Sequence, residues 1–125
     1  MNFPENLTYT KEHEWLKVDG AVATIGITDF AQGELGDVIY IDIANGQDVS
    51  AGHSVGSVEA VKTVSDIYSP VSGKVIEVNT ALNDAPDTVN KDPYGGGWLL
   101  KVQMSNPDEV KQTLSVADYK ALIGQ

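Results

Sequence analysis

Apolar and polar residues alternate with a period of two through most of this chain, the pattern of strands with one buried face. Trp15-Leu16-Lys17-Val18 runs into Asp19-Gly20, a dipeptide that favours a tight hairpin, and Ala21 to Ile27 continues in β-branched residues suited to a pleated surface. Thr28-Asp29 predicts a helix N-cap for one or two turns over Phe30 to Leu35, closed by Gly36. From Asp37 to Ile43 the alternation predicts Ile39, Ile41 and Ile43 on one face and Val38, Tyr40 and Asp42 on the other. Asn45-Gly46 ends that run with a turn.

Two further strand candidates, His53 to Val61 and Val64 to Tyr68, are separated only by Lys62 and Thr63. Ser72-Gly73 turns the chain into Lys74 to Val78, and Asn79 to Tyr94 reads as loops with one short helix. Trp98, Leu100, Val102 and Met104 alternate along a last strand, with Lys101 and Gln103 opposite. Pro107 opens a short helix at its first turn, and Ser115 with Asp118 predicts a capped final helix ending near Gly124. The strand spacing predicts a mainly β fold, an antiparallel sandwich or small barrel with short peripheral helices and a C-terminal helix.

At 125 residues, with no linker or low-complexity stretch, residues 1–125 read as one domain, and 42% apolar composition suffices for a core. The 18 acidic side chains against 8 lysines and no arginine leave a net charge of −10. That balance argues against nucleic acid and favours neutral or basic protein surfaces as partners. No apolar run approaches the ~20 residues that span a bilayer, and the first residues carry neither a basic nor an apolar targeting segment. A soluble chain in the bacterial cytoplasm is the expectation. The absence of cysteine excludes disulfides, thiolate zinc sites and protein-borne thiol chemistry.

Catalytic motifs are wanting. His13-Glu14 would need a histidine at position 17 to complete a His-Glu-x-x-His zinc motif, and Lys17 stands there. His53 is the only other histidine, so no metal site and no catalytic residue is assigned. Gly95-Gly96-Gly97 lacks the Lys-Ser/Thr of a phosphate loop and leads into a strand. The informative residue is Lys62, at the meeting of two β-rich runs, where a turn normally recruits Gly, Asn or Asp. Ala60-Val61-Lys62-Thr63-Val64 should instead hold a stiff backbone and project one lysine outward, accessible to an acylating enzyme. An edge lysine that blocks aggregation would occupy a similar place.

The run from Val58 to Gly73, Val-Glu-Ala-Val-Lys-Thr-Val-Ser-Asp-Ile-Tyr-Ser-Pro-Val-Ser-Gly, resembles the lipoyl-lysine segment of the glycine cleavage system H-protein family. Tyr9 to Trp15 is similar to that family's His-Glu-Trp motif. Gly26 to Gln32 with Leu35 to Val38, and Leu82 to Asp84 with Val89 to Tyr94 and Gly97 to Leu99, are similar to its other blocks in the same order. Ala60 and Thr63 depart from the serine and alanine common beside the lysine.

The resemblance implies a lipoyl-domain-like flattened antiparallel barrel or sandwich, with a lipoyl-binding core over 21–104 and the lysine hairpin at 58–68. It implies lipoate as the cofactor, joined to Lys62 as an amide; Val61 and Thr63, in place of flanking methionines, argue against biotin. Glu14 and Asp66 match positions that would hold the charged end of the arm, and Glu12, acidic here too, is expected to join them. Glu59, three residues before the lysine, and Gly46 are implied in recognition by lipoate-attaching enzymes. The implied partners are a pyridoxal-phosphate glycine decarboxylase (P protein), a folate-dependent aminomethyltransferase (T protein) and a dihydrolipoyl dehydrogenase (L protein). The chain itself would be a monomeric, non-catalytic carrier. A relay that donates lipoyl groups to other complexes needs the same hairpin and remains the alternative, with a non-carrier interaction module as the third.

Overall fold

A computed structural model describes all 125 residues. Its strands are β1 (Thr8–Tyr9), β2 (Glu14–Asp19), β3 (Val22–Ile27), β4 (Val38–Ile43), β5 (Asp48–Val49), β6 (Ser54–Ala60), β7 (Val64–Tyr68), β8 (Gly73–Val78) and β9 (Leu100–Met104). The α-helices are α1 (Asp29–Leu35), α2 (Thr88–Lys91) and α3 (Val116–Leu122), with 3₁₀ turns at Thr80–Asn83 and Pro107–Gln112. Every strand pairing is antiparallel, in a six-stranded sheet of order β1-β2-β3-β9-β8-β5 and a three-stranded sheet of order β4-β6-β7. No helix is long and apolar enough to cross a membrane.

The local predictions are met where turn chemistry is strong. The β2–β3 hairpin pairs Asp19 with Val22, so Gly20 at φ +62° takes the first of two loop positions, as a primed hairpin turn requires. Thr28 caps α1 by accepting from the Ala31 N–H, and Ser115 caps α3 by accepting from the Asp118 N–H.

Three expectations shift. A bulge between Val38 and Tyr40 reverses the phase of β4, so Val38 joins Ile41 and Ile43 toward the core while Ile39 is exposed. Trp98 lies before β9 and packs with the aromatic residues near the termini rather than in line with Leu100, Val102 and Met104. Residues 79–94 contain two short helical turns where one was expected. The two-residue strands β1 and β5 have too few residues to show a period at all.

Seventeen buried residues from both sheets and the 80–100 segment, among them Ile25, Val58, Ile67, Leu100 and Val102, form the core between the sheets. A second cluster of Phe3, Leu7, Tyr9, Trp15 and Tyr119 closes the end where both termini meet. Gly26 lies against the Trp15 ring, where a Cβ would come 2.5 Å from Nε1, so only glycine fits there.

Candidate functional site

Lys62 sits at the tip of the β6–β7 hairpin. The ladder closes at Glu59 opposite Val64, and the Ala60 N–H donates to the Thr63 carbonyl at 2.7 Å, leaving Val61 and Lys62 at the turn. Neither has a positive φ, so the turn needs no glycine. The Val61 N–H donates to the Asp37 carbonyl at 3.0 Å, tying the tip to the start of β4. Asn90 of α2 braces that point: its Oδ1 accepts from the Val38 N–H at 2.9 Å, and its Nδ2 donates to the Gly36 carbonyl at 2.8 Å. The tip is thus fixed by backbone bonds while Val61, Lys62, Thr63 and Val64 are all exposed. The ion pairs of the structure involve Lys91, Lys101 and Lys111, so the Lys62 amine is without a carboxylate partner.

Four residues after Lys62 and third in β7, Asp66 borders a cleft of about 310 Å³ between β7 and α1. Its apolar wall is Ile27, Phe30, Leu35 and Ile67, and its acidic rim is Asp66, Glu12 and Glu34. Glu34 was not singled out from sequence. The available signal is its position four residues after Phe30 on a short helix, which puts both on one face. His13 also lines the cleft; it is the one non-glycine residue at positive φ (+70°) and its Nδ1 lies 2.9 Å from the Tyr119 hydroxyl. Burial outweighs Glu12 and Glu34 and pushes its pKa below the ordinary histidine value. His13 and Glu14 are thus hydrogen-bonded residues at the start of β2.

Glu14 lies apart from Asp66. Its side chain is only 2% exposed and borders a neighbouring cavity of about 420 Å³ at the far end of β7, with Glu12 common to both spaces. Its Oε1 accepts from the Thr10 hydroxyl at 2.6 Å and its Oε2 from the Tyr68 N–H at 3.2 Å, so the carboxyl joins β2 to the base of the lysine hairpin. Burial pushes its pKa up to about 7 against the pull of those two bonds.

Glu59 stands beside the tip, between Tyr40 of β4 and Val64 of β7. Gly46 is not brought there. The β4 end nearest Lys62 is Val38, opposite Ala60, whereas Gly46 follows Ile43, which pairs with Gly56 at the other end of the ladder. Its φ of +79° and its N–H bond to the Val75 carbonyl account for glycine as turn chemistry, without contact with Lys62.

These side chains fit an acyl group on Lys62: a free, exposed amine leads to a cleft that is apolar within and acidic at its rim. The family described as "Glycine cleavage H-protein" matches residues 7–125. The glycine cleavage system H protein of Carboxydothermus hydrogenoformans is 53% identical over 121 residues, covering 96% of this chain and 93% of that protein. That of Bacteroides fragilis is 48% identical over 124 residues, covering 98% of each. The crystal structure of a glycine cleavage system H protein from Mycobacterium marinum superposes with a TM-score of 0.89 at 41% identity, covering 98% of this chain and 100% of that one. The chain therefore belongs to the glycine cleavage H-protein family, a non-catalytic carrier component of that system.

Proposed function

We propose that this chain is the lipoyl-lysine carrier of a bacterial, cytoplasmic glycine cleavage system, acting as a monomer with lipoate joined to Lys62 as an amide. In this reading it moves the aminomethyl group from the glycine decarboxylase to the folate-dependent aminomethyltransferase, then meets the dihydrolipoyl dehydrogenase. The observation that carries the reading is the unpaired Lys62 amine at a backbone-braced hairpin tip.

When bound, lipoate supplies a disulfide that alternates between oxidised and reduced forms, chemistry a chain without cysteine lacks. The protein's own residues supply position and charge. Asn90 and the Asp37 carbonyl hold the tip, so Lys62 projects from a defined point. Ile27, Leu35 and Ile67 offer an apolar wall to a hydrocarbon arm, and Asp66, Glu12 and Glu34 attract a protonated amine at the rim. Glu14 lies beyond that rim and acts as a buried anchor of the β7 base, adding negative charge when ionised. Tethering keeps the reactive end at high effective concentration for successive enzymes, and the net charge of −10 steers the chain toward basic surfaces on them.

The test is intact-mass measurement after incubation with a purified lipoate ligase, lipoate and ATP. One lipoyl adduct is expected on the wild-type chain and none on Lys62→Ala. No adduct on the wild type, or an equal adduct on the variant, overturns the assignment.

A further inference from the structure

The outer face of the three-stranded sheet has an organisation that the carrier role by itself does not require. Cross-strand register places Tyr40, Glu59 and Val64 in one row, with Tyr40 and Val64 about 10 Å apart across two strand spacings. Tyr40 is 54% and Val64 58% exposed, and Val61 beside the lysine is 68% exposed. The bulge in β4 turns Ile39 outward as well, leaving it 47% exposed. The next row along the same face is Asp42, Ser57 and Asp66. Lys62 therefore stands over exposed apolar side chains with one carboxylate set among them and two more behind. Exposed apolar side chains gathered at one spot, rimmed by polar groups, mark an interaction surface rather than the scattered exposure common to all proteins.

Resting on the carrier reading, we infer that the Tyr40–Glu59–Val64 row, with Ile39 and Val61, is the docking surface for the enzyme that acylates Lys62. That partner presents an apolar contact within a basic rim. An acylating enzyme must bring its reacting atoms to the lysine Nζ, one side-chain length from this face. Enzymes that use the loaded arm meet its far end, a full arm length away, and need not touch the row. The charges are complementary in the same sense: Glu59, Asp42 and Asp66 leave the face acidic, so a basic surface is drawn to it. Tyrosine is among the residues in which interface binding energy concentrates, so Tyr40 is the anchor of this face.

The test compares initial acylation rates of the wild-type chain, Tyr40→Thr/Val64→Thr and Ile76→Thr with a purified lipoate ligase at sub-saturating chain concentration. Threonine retains β propensity, and all three positions are exposed, so folding is preserved; the melting temperature of each chain verifies it. The double variant is expected to lose at least tenfold in kcat/KM for acylation, while Ile76→Thr, equally apolar but on the other sheet, stays within twofold. After long incubation to full acylation, the double variant should support glycine-dependent turnover with the purified system enzymes at the wild-type rate. Acylation of the double variant within twofold of wild type, or an equal fall in Ile76→Thr, overturns the docking surface and leaves the carrier reading standing. A loss confined to turnover assigns the face to the arm-using enzymes and overturns it equally. Failure to acylate the wild-type chain overturns the carrier reading itself.

Discussion

The lysine hairpin and the cluster where the termini meet hold their shapes by opposite means. At the tip, Val61 to Val64 are exposed, and geometry comes from two backbone links, Ala60 to Thr63 and Val61 to Asp37, with the Asn90 side chain accepting from the Val38 N–H. At the termini, Phe3, Tyr9, Trp15 and Tyr119 are buried, with Tyr9 and Tyr119 stacked at 4.9 Å and Phe3 edge-on to Tyr119 at 5.6 Å. Packing of that kind stabilises through side chains, so it tolerates little change. Backbone bracing leaves the tip's side chains free for other work. The difference separates stability from chemistry along one chain: variants at one end should melt the protein, and variants at the other should silence it.

The largest effect is expected from Trp15→Ala. Trp15 is 1% exposed, packs beside Gly26, and its Nε1–H donates to the Pro93 carbonyl at 2.9 Å. Truncation should cost about 3–5 kcal/mol, the range for large buried aromatics, read as a lowered denaturation midpoint. A loss under about 1 kcal/mol would mean that this cluster does not hold the fold, and the contrast with the hairpin would collapse.

A smaller effect sharpens the contrast from between the two regions. Glu14 leaves the aromatic end at Trp15's neighbouring position and reaches the base of β7 through Tyr68. Its pKa stands at about 7 in the folded chain, above the ordinary carboxylate value that the unfolded chain recovers. The folded state thus binds the extra proton through the window between those values. Its contribution is fully present below the unfolded pKa and is lost as pH rises through 7, at most about 3 kcal/mol from the size of the shift. Thermal unfolding from pH 4.5 to 8 should show stability falling more steeply in the wild type than in Glu14→Gln, whose amide does not titrate. Parallel curves would remove Glu14 as the titrating group.

Legibility followed the range of the interactions. The hairpin strands, the caps at Thr28 and Ser115, and the prominence of Lys62 depend on neighbours within a few residues, and all were readable. The family motifs then suggested what spacing could not, the lipoyl group proposed for Lys62. The outward turn of Ile39 was not readable, because one bulge residue shifts the period and leaves no mark in composition. The bond from Glu14 to Tyr68 spans 54 residues and two sheets, so nothing local announces it. The same holds for the cleft: Asp66 and Glu12 were in view as acids, but Glu34 joins them only once α1 packs beside β7. Gly46 shows the converse. The family pattern implies it in recognition beside Glu59, and the ladder puts it at the end of the sheet away from the lysine.

The smallest stability effect belongs to the most consequential residue. Lys62 is exposed, unpaired and in a turn held by its neighbours' backbone, so Lys62→Ala removes no packing, no ion pair and no hydrogen bond of the fold. Its unfolding free energy should stay within about 0.5 kcal/mol of wild type, even though the carrier reading has it abolish acylation altogether. Trp15→Ala should do the reverse, accepting the lipoyl group on Lys62 in whatever fraction of the chain is folded. A destabilisation above 1 kcal/mol in Lys62→Ala would show that the tip depends on its lysine side chain. The links at Ala60, Val61 and Val38 would then be insufficient to define it, and the division between a packed end and a presented end would fail at the residue on which it matters most.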